Sequence, residues 1–274
     1  MKSTAGSKST TFGRPKTRAR ICLSLVPPYS VVRITLIPFP LCAGLLTPKR
    51  LRSVYQAYLF DLDGTLVDTA PDLSAALNYA LQETGHPKVE EADTRRWVGH
   101  GAKVMIEHAL KYVSKDDTTE ELLTCVHRLF LDRYASHIAD NSVPYPNTVE
   151  TLQTLRDGGF KLGVVTNKAI HLTRLLLDHL DLEQYFDVVV GGDSMHVRKP
   201  GAEPALYACN ELDTVPSETL FVGDSETDIG CARAAGCDVV CVKDGYNHVT
   251  KLEDLGADAI IGSLMDLLRE ERFS

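Results

Sequence analysis

Ala57-Tyr58-Leu59-Phe60-Asp61-Leu62-Asp63-Gly64-Thr65 opens with four apolar residues and then turns abruptly acidic. An apolar run of this length with no polar alternation predicts a strand covered on both faces. The two carboxylates that follow are spaced two residues apart. At a strand end that spacing sends both side chains the same way. Asp63-Gly64 is also a good turn pair, so a simple turn is the competing reading of the same letters.

Five further β-type runs follow, at Leu162–Thr166, Phe186–Val190, Leu220–Val222, Val239–Val242 and Ala259–Ile261. Helical periodicity fills the spaces between them, near 147–157, 168–179, 202–212 and 226–235. Alternation of this kind predicts an α/β fold with a doubly wound parallel sheet, a Rossmann-like core. The first interval is too long. About a hundred residues separate Phe60 from Leu162, whereas a strand–helix–strand crossover needs roughly thirty. The surplus reads as helices near 71–84, 91–97, 102–112 and 119–138, with Pro71 in a first helical turn. Residues 69–145 are therefore expected to form a small helical cap inserted after strand 1. Residues 54–68 and 146–274 then form the core. Ligands of open α/β sheets bind outside the carboxyl ends of the strands, where such a cap would act as a lid.

Charge divides the chain unevenly. Residues 1–53 hold ten of the 29 Lys and Arg and no Asp or Glu, leaving 19 basic against 37 acidic side chains in the rest, a net −18. A body so acidic is a poor partner for nucleic acid, and it needs a cation to hold a phosphate. The basic segment 1–53 has the composition of an unstructured extension, either an organellar transit peptide or the product of a mis-assigned start. Its apolar part is broken by Arg33, Pro27, Pro28, Pro38 and Pro40, so it does not read as a membrane span. The seven cysteines contain no CxxC pair, which points to free thiols in a reducing compartment. The expected location is the cytoplasm, or an organelle if the extension is a true transit peptide.

Three more clusters end apolar runs. Thr166 and Asn167 follow Val164-Val165, as a hydroxyl for a phosphate oxygen or as a helix cap. Arg198-Lys199-Pro200 offers an ammonium, or a solvated lysine. Gly223-Asp224-Ser225-Glu226-Thr227-Asp228 offers a cation site, or a cap with an acid at the positive end of a helix. Together these are the parts for phosphoryl transfer through a carboxylate. One acid attacks phosphorus and a second moves protons. A hard cation relieves the repulsion, while hydroxyl and ammonium hold the equatorial oxygens.

The strings FDLDGTLVDT, TNK, RKP and GDSETDI, in this order, resemble the haloacid dehalogenase-like hydrolase superfamily, over Val54–Arg269. The resemblance implies Asp61 as nucleophile, Asp63 as general acid and base, and Thr166, Asn167 and Lys199 as phosphate ligands. It implies Mg²⁺ held by Asp61, the main-chain carbonyl of Asp63, and Asp224, with Asp228 in support. DLDGTLVDTAPDL (Asp61–Leu73) and the cap string RRWVGHGA (Arg95–Ala102) are similar to the phosphoglycolate phosphatase family within it. His100 stands where that family more often has Asn. The implied activity is hydrolysis of a small phosphate monoester, 2-phosphoglycolate, by a monomer or homodimer. A sugar-phosphate phosphatase, a pyrophosphatase and a β-phosphoglucomutase-like enzyme would use the same four motifs. Gly99 and Gly101 allow a close approach to ligand. Arg95, Arg96, His100 and Lys103 are the candidate cap contacts to a substrate carboxylate.

Overall fold

The computed structural model describes residues 55–114, 118–246 and 252–268. The basic extension 1–53, with the transit-peptide and start-site readings, lies outside the described residues. In chain order the elements are β1 (Ala57–Phe60), β2 (Val67–Asp68), α1 (Ala70–Glu83), α2 (Glu91–Trp97), α3 (Ala102–Val113), α4 (Glu120–Ser136), β3 (Val143–Pro144), α5 (Thr148–Asp157), β4 (Lys161–Val165), α6 (Ile170–His179), β5 (Val188–Val190), α7 (Glu203–Glu211), β6 (Thr219–Gly223), α8 (Glu226–Ala235), β7 (Asp238–Val242) and β8 (Ala259–Ile261).

Six strands form one parallel sheet in the order β5-β4-β1-β6-β7-β8. β1 lies between β4 and β6, with Phe60 opposite both Val164 and Val222. Every side chain of β1 is buried, which is why its sequence shows no alternation. The chain first builds outward through β4 and β5, then crosses to the other side of β1. The order thus reverses at β1, and a crevice opens there at the carboxyl ends. β4, β1 and β6 are also the strands followed by the acidic and phosphate-type motifs.

Helices α1 to α4 fall between β1 and β4, within the stretch 69–145. Leu73, Leu77 and Leu81 of α1 and Val126, Phe130 and Tyr134 of α4 belong to one buried cluster, continuous with Phe60, Leu62 and Leu66 of the core. Each large apolar side chain so buried contributes about 1.5–3 kcal/mol. The chain enters and leaves these helices through a short antiparallel pair, Val67 opposite Pro144 and Asp68 opposite Val143. Beside it, the buried Asp72 carboxylate accepts from the backbone N–H groups of Asn141 and Ser142, from Asn141 Nδ2 and from Ser142 Oγ, at 2.7–3.0 Å. Burial works to raise the Asp72 pKa, but these four donors outweigh it and hold the group below its ordinary value.

Two expected boundaries move. The helix expected over 168–179 starts at Ile170, because Lys168 and Ala169 complete the loop from β4. The strand expected from Phe186 is paired only over Val188–Val190. Among the described residues no helix is long and apolar enough to cross a membrane. Cys125, Cys209, Cys231, Cys237 and Cys241 carry free thiols.

Candidate active site

Asp61 continues β1 by one ladder bond, its N–H donating to Val222 O at 2.9 Å. Its carboxylate, with those of Asp224 and Asp228, forms a buried group in which one oxygen from each lies within 4.8 Å of the other two. Burial, then the charge of Asp228, pushes Asp61 up to about 7, with Lys199 pulling the other way. Asp224 is raised by burial and by both other acids. Among the described residues Lys199 is the one ammonium in the group, with Nζ 2.8 Å from Asp61 Oδ1 and 2.6 Å from Asp228 Oδ1. Burial works to lower its pKa, and the two carboxylates more than offset that.

Three buried acids with a single ammonium retain excess negative charge, and their donors are all oxygen. That is the donor set a hard divalent cation requires. The residues present fit such an ion.

Asp228 reconciles the two readings of its motif. Its Oδ2 accepts from Ser225 N at 3.0 Å, which with the Asp228 N–H donating to the Ser225 side chain makes the capping box of α8, and it also accepts from Ser225 Oγ at 2.7 Å. Its Oδ1 is left to face Lys199. Asp224 Oδ2 is fixed by the backbone N–H of Tyr246 at 2.5 Å. The Tyr246 hydroxyl donates to Asp68 Oδ1 and accepts from the N–H groups of Thr69 and Ala70 at the start of α1.

Asp63 lies beside this group. Its Oδ1 accepts from Thr69 Oγ1 at 2.6 Å and from Lys168 Nζ at 2.7 Å. Both donors take the same oxygen, so among the described residues Oδ2 accepts no hydrogen bond. Gly64 turns the chain at φ +88°, and a Cβ there would stand 2.3 Å from Asp224 Oδ2.

A cavity of about 390 Å³ opens over these groups. Asp61, Asp63, Thr166, Asn167 and Lys168 form its floor. Gly99, Gly101, Lys103 and Met105 wall it on one side, with His127, Phe130 and Tyr134 on another. Gly99 and Gly101 adopt φ +119° and +92°, as their place in the loop between α2 and α3 led one to expect.

The sequence-predicted residues divide into two sets. Asp61, Asp63, Thr166, Lys199, Asp224 and Asp228 are brought together at the carboxyl ends of adjacent strands. Asn167 is at the cavity, and its Nδ2 donates to Gly99 O at 2.9 Å and Lys199 O at 3.1 Å. It therefore ties the cap loop to the core. The cap residues separate. Lys103 lines the cavity while paired with Glu120 at 3.0 Å. His100 is half exposed and faces Glu226 at 3.2 Å. Arg96 pairs with Asp93 at 3.0 Å, is 72% exposed and does not line the cavity. Its neighbour Arg95 turns inward instead, to Asp68 at 2.8 Å and over the Tyr246 ring. Residues one apart on a helix differ by about 100° in direction, and the letters alone do not say which of two arginines faces in. Sequence reasoning missed Lys168, Thr69, Tyr134 and Tyr246. Lys168 alone had a usable signal, a third letter beside Thr166 and Asn167.

Comparison with known proteins bears on this arrangement directly. The chain is 39% identical over 226 residues to a phosphoglycolate phosphatase of Salmonella typhimurium, covering 76% of this chain and 89% of that protein. It is 36% identical over 209 residues to a phosphoglycolate phosphatase of Nitrosococcus oceani, covering 76% and 93%. The crystal structure of a predicted phosphoglycolate phosphatase from Haemophilus somnus superposes with a TM-score of 0.75 at 34% identity, covering 78% of this chain and 96% of that one. The family described as haloacid dehalogenase-like hydrolase matches residues 58–242. That span reaches from β1 to β7 and takes in every acid of the cluster, and the chain belongs to the haloacid dehalogenase-like hydrolase family.

Proposed function

We propose that this chain hydrolyses a small phosphate monoester, 2-phosphoglycolate, to glycolate and phosphate through an aspartyl-phosphate on Asp61. The observation that carries this reading is the placement of Asp61 and Asp63 on the floor of one half-enclosed cavity, with Lys199, Asp224 and Asp228 packed around Asp61 behind it. The names of the relatives support the choice of ester.

Asp61 supplies the attacking oxygen, in line with the leaving group. Lys199 touches that carboxylate and offers its one remaining N–H to a phosphoryl oxygen, and the hydroxyl of Thr166 donates to another. Asp63 Oδ2 carries the proton to the departing alkoxide. The same oxygen then takes a proton from the water that opens the acyl phosphate. Thr69 and Lys168 hold Asp63 by its other oxygen, so the transferring oxygen keeps one position. Asp61, the main-chain carbonyl of Asp63, and Asp224 would hold Mg²⁺, with Asp228 in support, and the ion would offset the repulsion between carboxylate and phosphate. Helices α1 to α4 act as a lid over the floor, excluding water during the first transfer.

The test is a panel of phosphate esters with Mg²⁺, read as kcat/KM. 2-Phosphoglycolate should exceed hexose phosphates and pyrophosphate. Asp61→Asn, nearly isosteric, should keep the circular-dichroism spectrum and lose at least about 10³-fold in kcat. Substantial residual turnover in that variant would exclude the covalent route.

A further inference from the structure

We propose that Lys168 and Tyr134 form the subsite that binds the carboxylate of the leaving group, and that this pair selects 2-phosphoglycolate over uncharged esters. The proposal rests on the function proposed above and names the residues that read its substrate.

Lys168 belongs to the loop after β4, and its side chain is 6% exposed. Its Nζ is 2.7 Å from Asp63 Oδ1 and 4.7 Å from the centroid of the Tyr134 ring. Tyr134 comes from α4, is 1% exposed and lines the same cavity. Its hydroxyl proton has no acceptor among the described residues. A buried donor left unspent is costly unless a ligand takes it up. The site thus holds an ammonium and, interacting with it, a hydroxyl whose proton is unspent, next to the residue assigned to protonate the leaving oxygen.

The substrate's dimensions match this placement. In 2-phosphoglycolate one carbon separates the leaving oxygen from the carboxylate carbon. With bonds of about 1.5 Å, the carboxylate oxygens lie roughly 3–4 Å from the leaving oxygen. A leaving oxygen at Asp63 Oδ2 therefore brings the carboxylate to the neighbourhood of Asp63's other partner, Lys168. The other Lys and Arg side chains of the cavity are placed less well. Lys103 is half exposed and engaged with Glu120. Arg198 packs under Gly101, its Nη1 3.1 Å from where a Cβ of that glycine would be. Lys168 is a core residue and Tyr134 a cap residue, so the subsite exists only when the two are packed together.

The experiment compares two esters in each enzyme, 2-phosphoglycolate and 2-hydroxyethyl phosphate. The second has a neutral hydroxymethyl in place of the carboxylate and a similar alkoxide to expel. The ratio of kcat/KM values is insensitive to the folded fraction of a preparation. It also cancels any loss of Asp63 positioning, which both esters share. Lys168→Met should lower the ratio by about 10- to 100-fold, the range of a hydrogen bond to a charged group. Tyr134→Phe should lower it by about 3- to 10-fold. Lys168→Arg, which keeps the charge, should retain most of the preference. If the Met variant turns over neither ester, the same ratio is read as dissociation constants by calorimetry, in Asp61→Asn with and without Lys168→Met. Unchanged ratios in both Lys168→Met and Tyr134→Phe would overturn the subsite. The wild-type enzyme is read separately. If it does not prefer 2-phosphoglycolate over 2-hydroxyethyl phosphate, the proposed substrate fails, whatever the variants do.

Discussion

Replacing Gly64 by Ala tests whether the turn after Asp63 is built around the acid cluster. Two costs act at this position. The backbone sits at φ +88°, and an L-residue there costs about 1–2 kcal/mol. The added Cβ would also stand 2.3 Å from Asp224 Oδ2 and 2.9 Å from Tyr246 Cδ2. Asp224 is buried and its Oδ2 is bound by the Tyr246 N–H, so the carboxylate has nowhere to swing. Overpacking of this sort costs about 1–3 kcal/mol. Gly85 provides the control, since it has φ +79° and is exposed, and a Cβ there would meet nothing within 4 Å. Both variants carry the conformational term and the same change in unfolded-chain freedom. The difference between them isolates the contact. Urea unfolding should place Gly64→Ala about 1–3 kcal/mol below Gly85→Ala. Magnesium titration of activity should give a weaker apparent affinity in Gly64→Ala alone. Equal stabilities and equal magnesium requirements in the two variants would refute the reasoning.

Saturating Mg²⁺ should raise the melting temperature of the wild-type chain by about 5–10 °C at 100 times its dissociation constant, and Asp224→Asn should abolish most of that rise. Asp224 is raised above its ordinary value in the fold, so without metal it destabilises as pH climbs past the unfolded carboxylate range. The metal-free Asn variant should therefore melt above the metal-free parent at neutral pH, and scanning calorimetry with and without EDTA reads both effects. An equal magnesium shift in parent and variant would remove Asp224 from the ion's ligands. Asp72→Ala should cost about 2–3 kcal/mol at neutral pH, because four donors lose one buried acceptor. The folded pKa of Asp72 is depressed. Its contribution is thus present above the unfolded value and fades as pH falls through the folded one, so the stability gap between parent and variant should close in acid. A gap that stays constant from neutral pH into strong acid would contradict this.

The core of the site is legible in the letters because two of its acids directly follow apolar runs. Asp61 follows Phe60 of β1, and Asp224 follows the Gly223 that closes β6. Period and position both mark them. Asp228 is readable twice over, as cap and as site acid, and the fold uses one oxygen for each role. The cap is far less legible. Its helices are visible as periodicity, but a helix presents side chains all round, and which face meets the sheet depends on packing that no local pattern encodes. Arg95 and Arg96 show the difficulty, one bound inward at Asp68 and the other held out in solvent by Asp93. Tyr134 looks like any aromatic on an apolar stripe until Lys168 is seen above its ring. Tyr246 acts on Asp224 from 22 residues away, with α8 and β7 between them, and no local pattern joins the two.

The two-residue pair of β2 and β3 gives the four inserted helices one doorway, since the chain departs and returns at neighbouring points. A segment whose ends already meet adds little loop-closure entropy when its length changes. It can be exchanged wholesale while the sheet and its acids stay as they are. The floor that carries the acids and the helices over it are thus free to change on separate schedules, and on the function proposed above a single reaction can be retargeted to new esters by replacing one cassette.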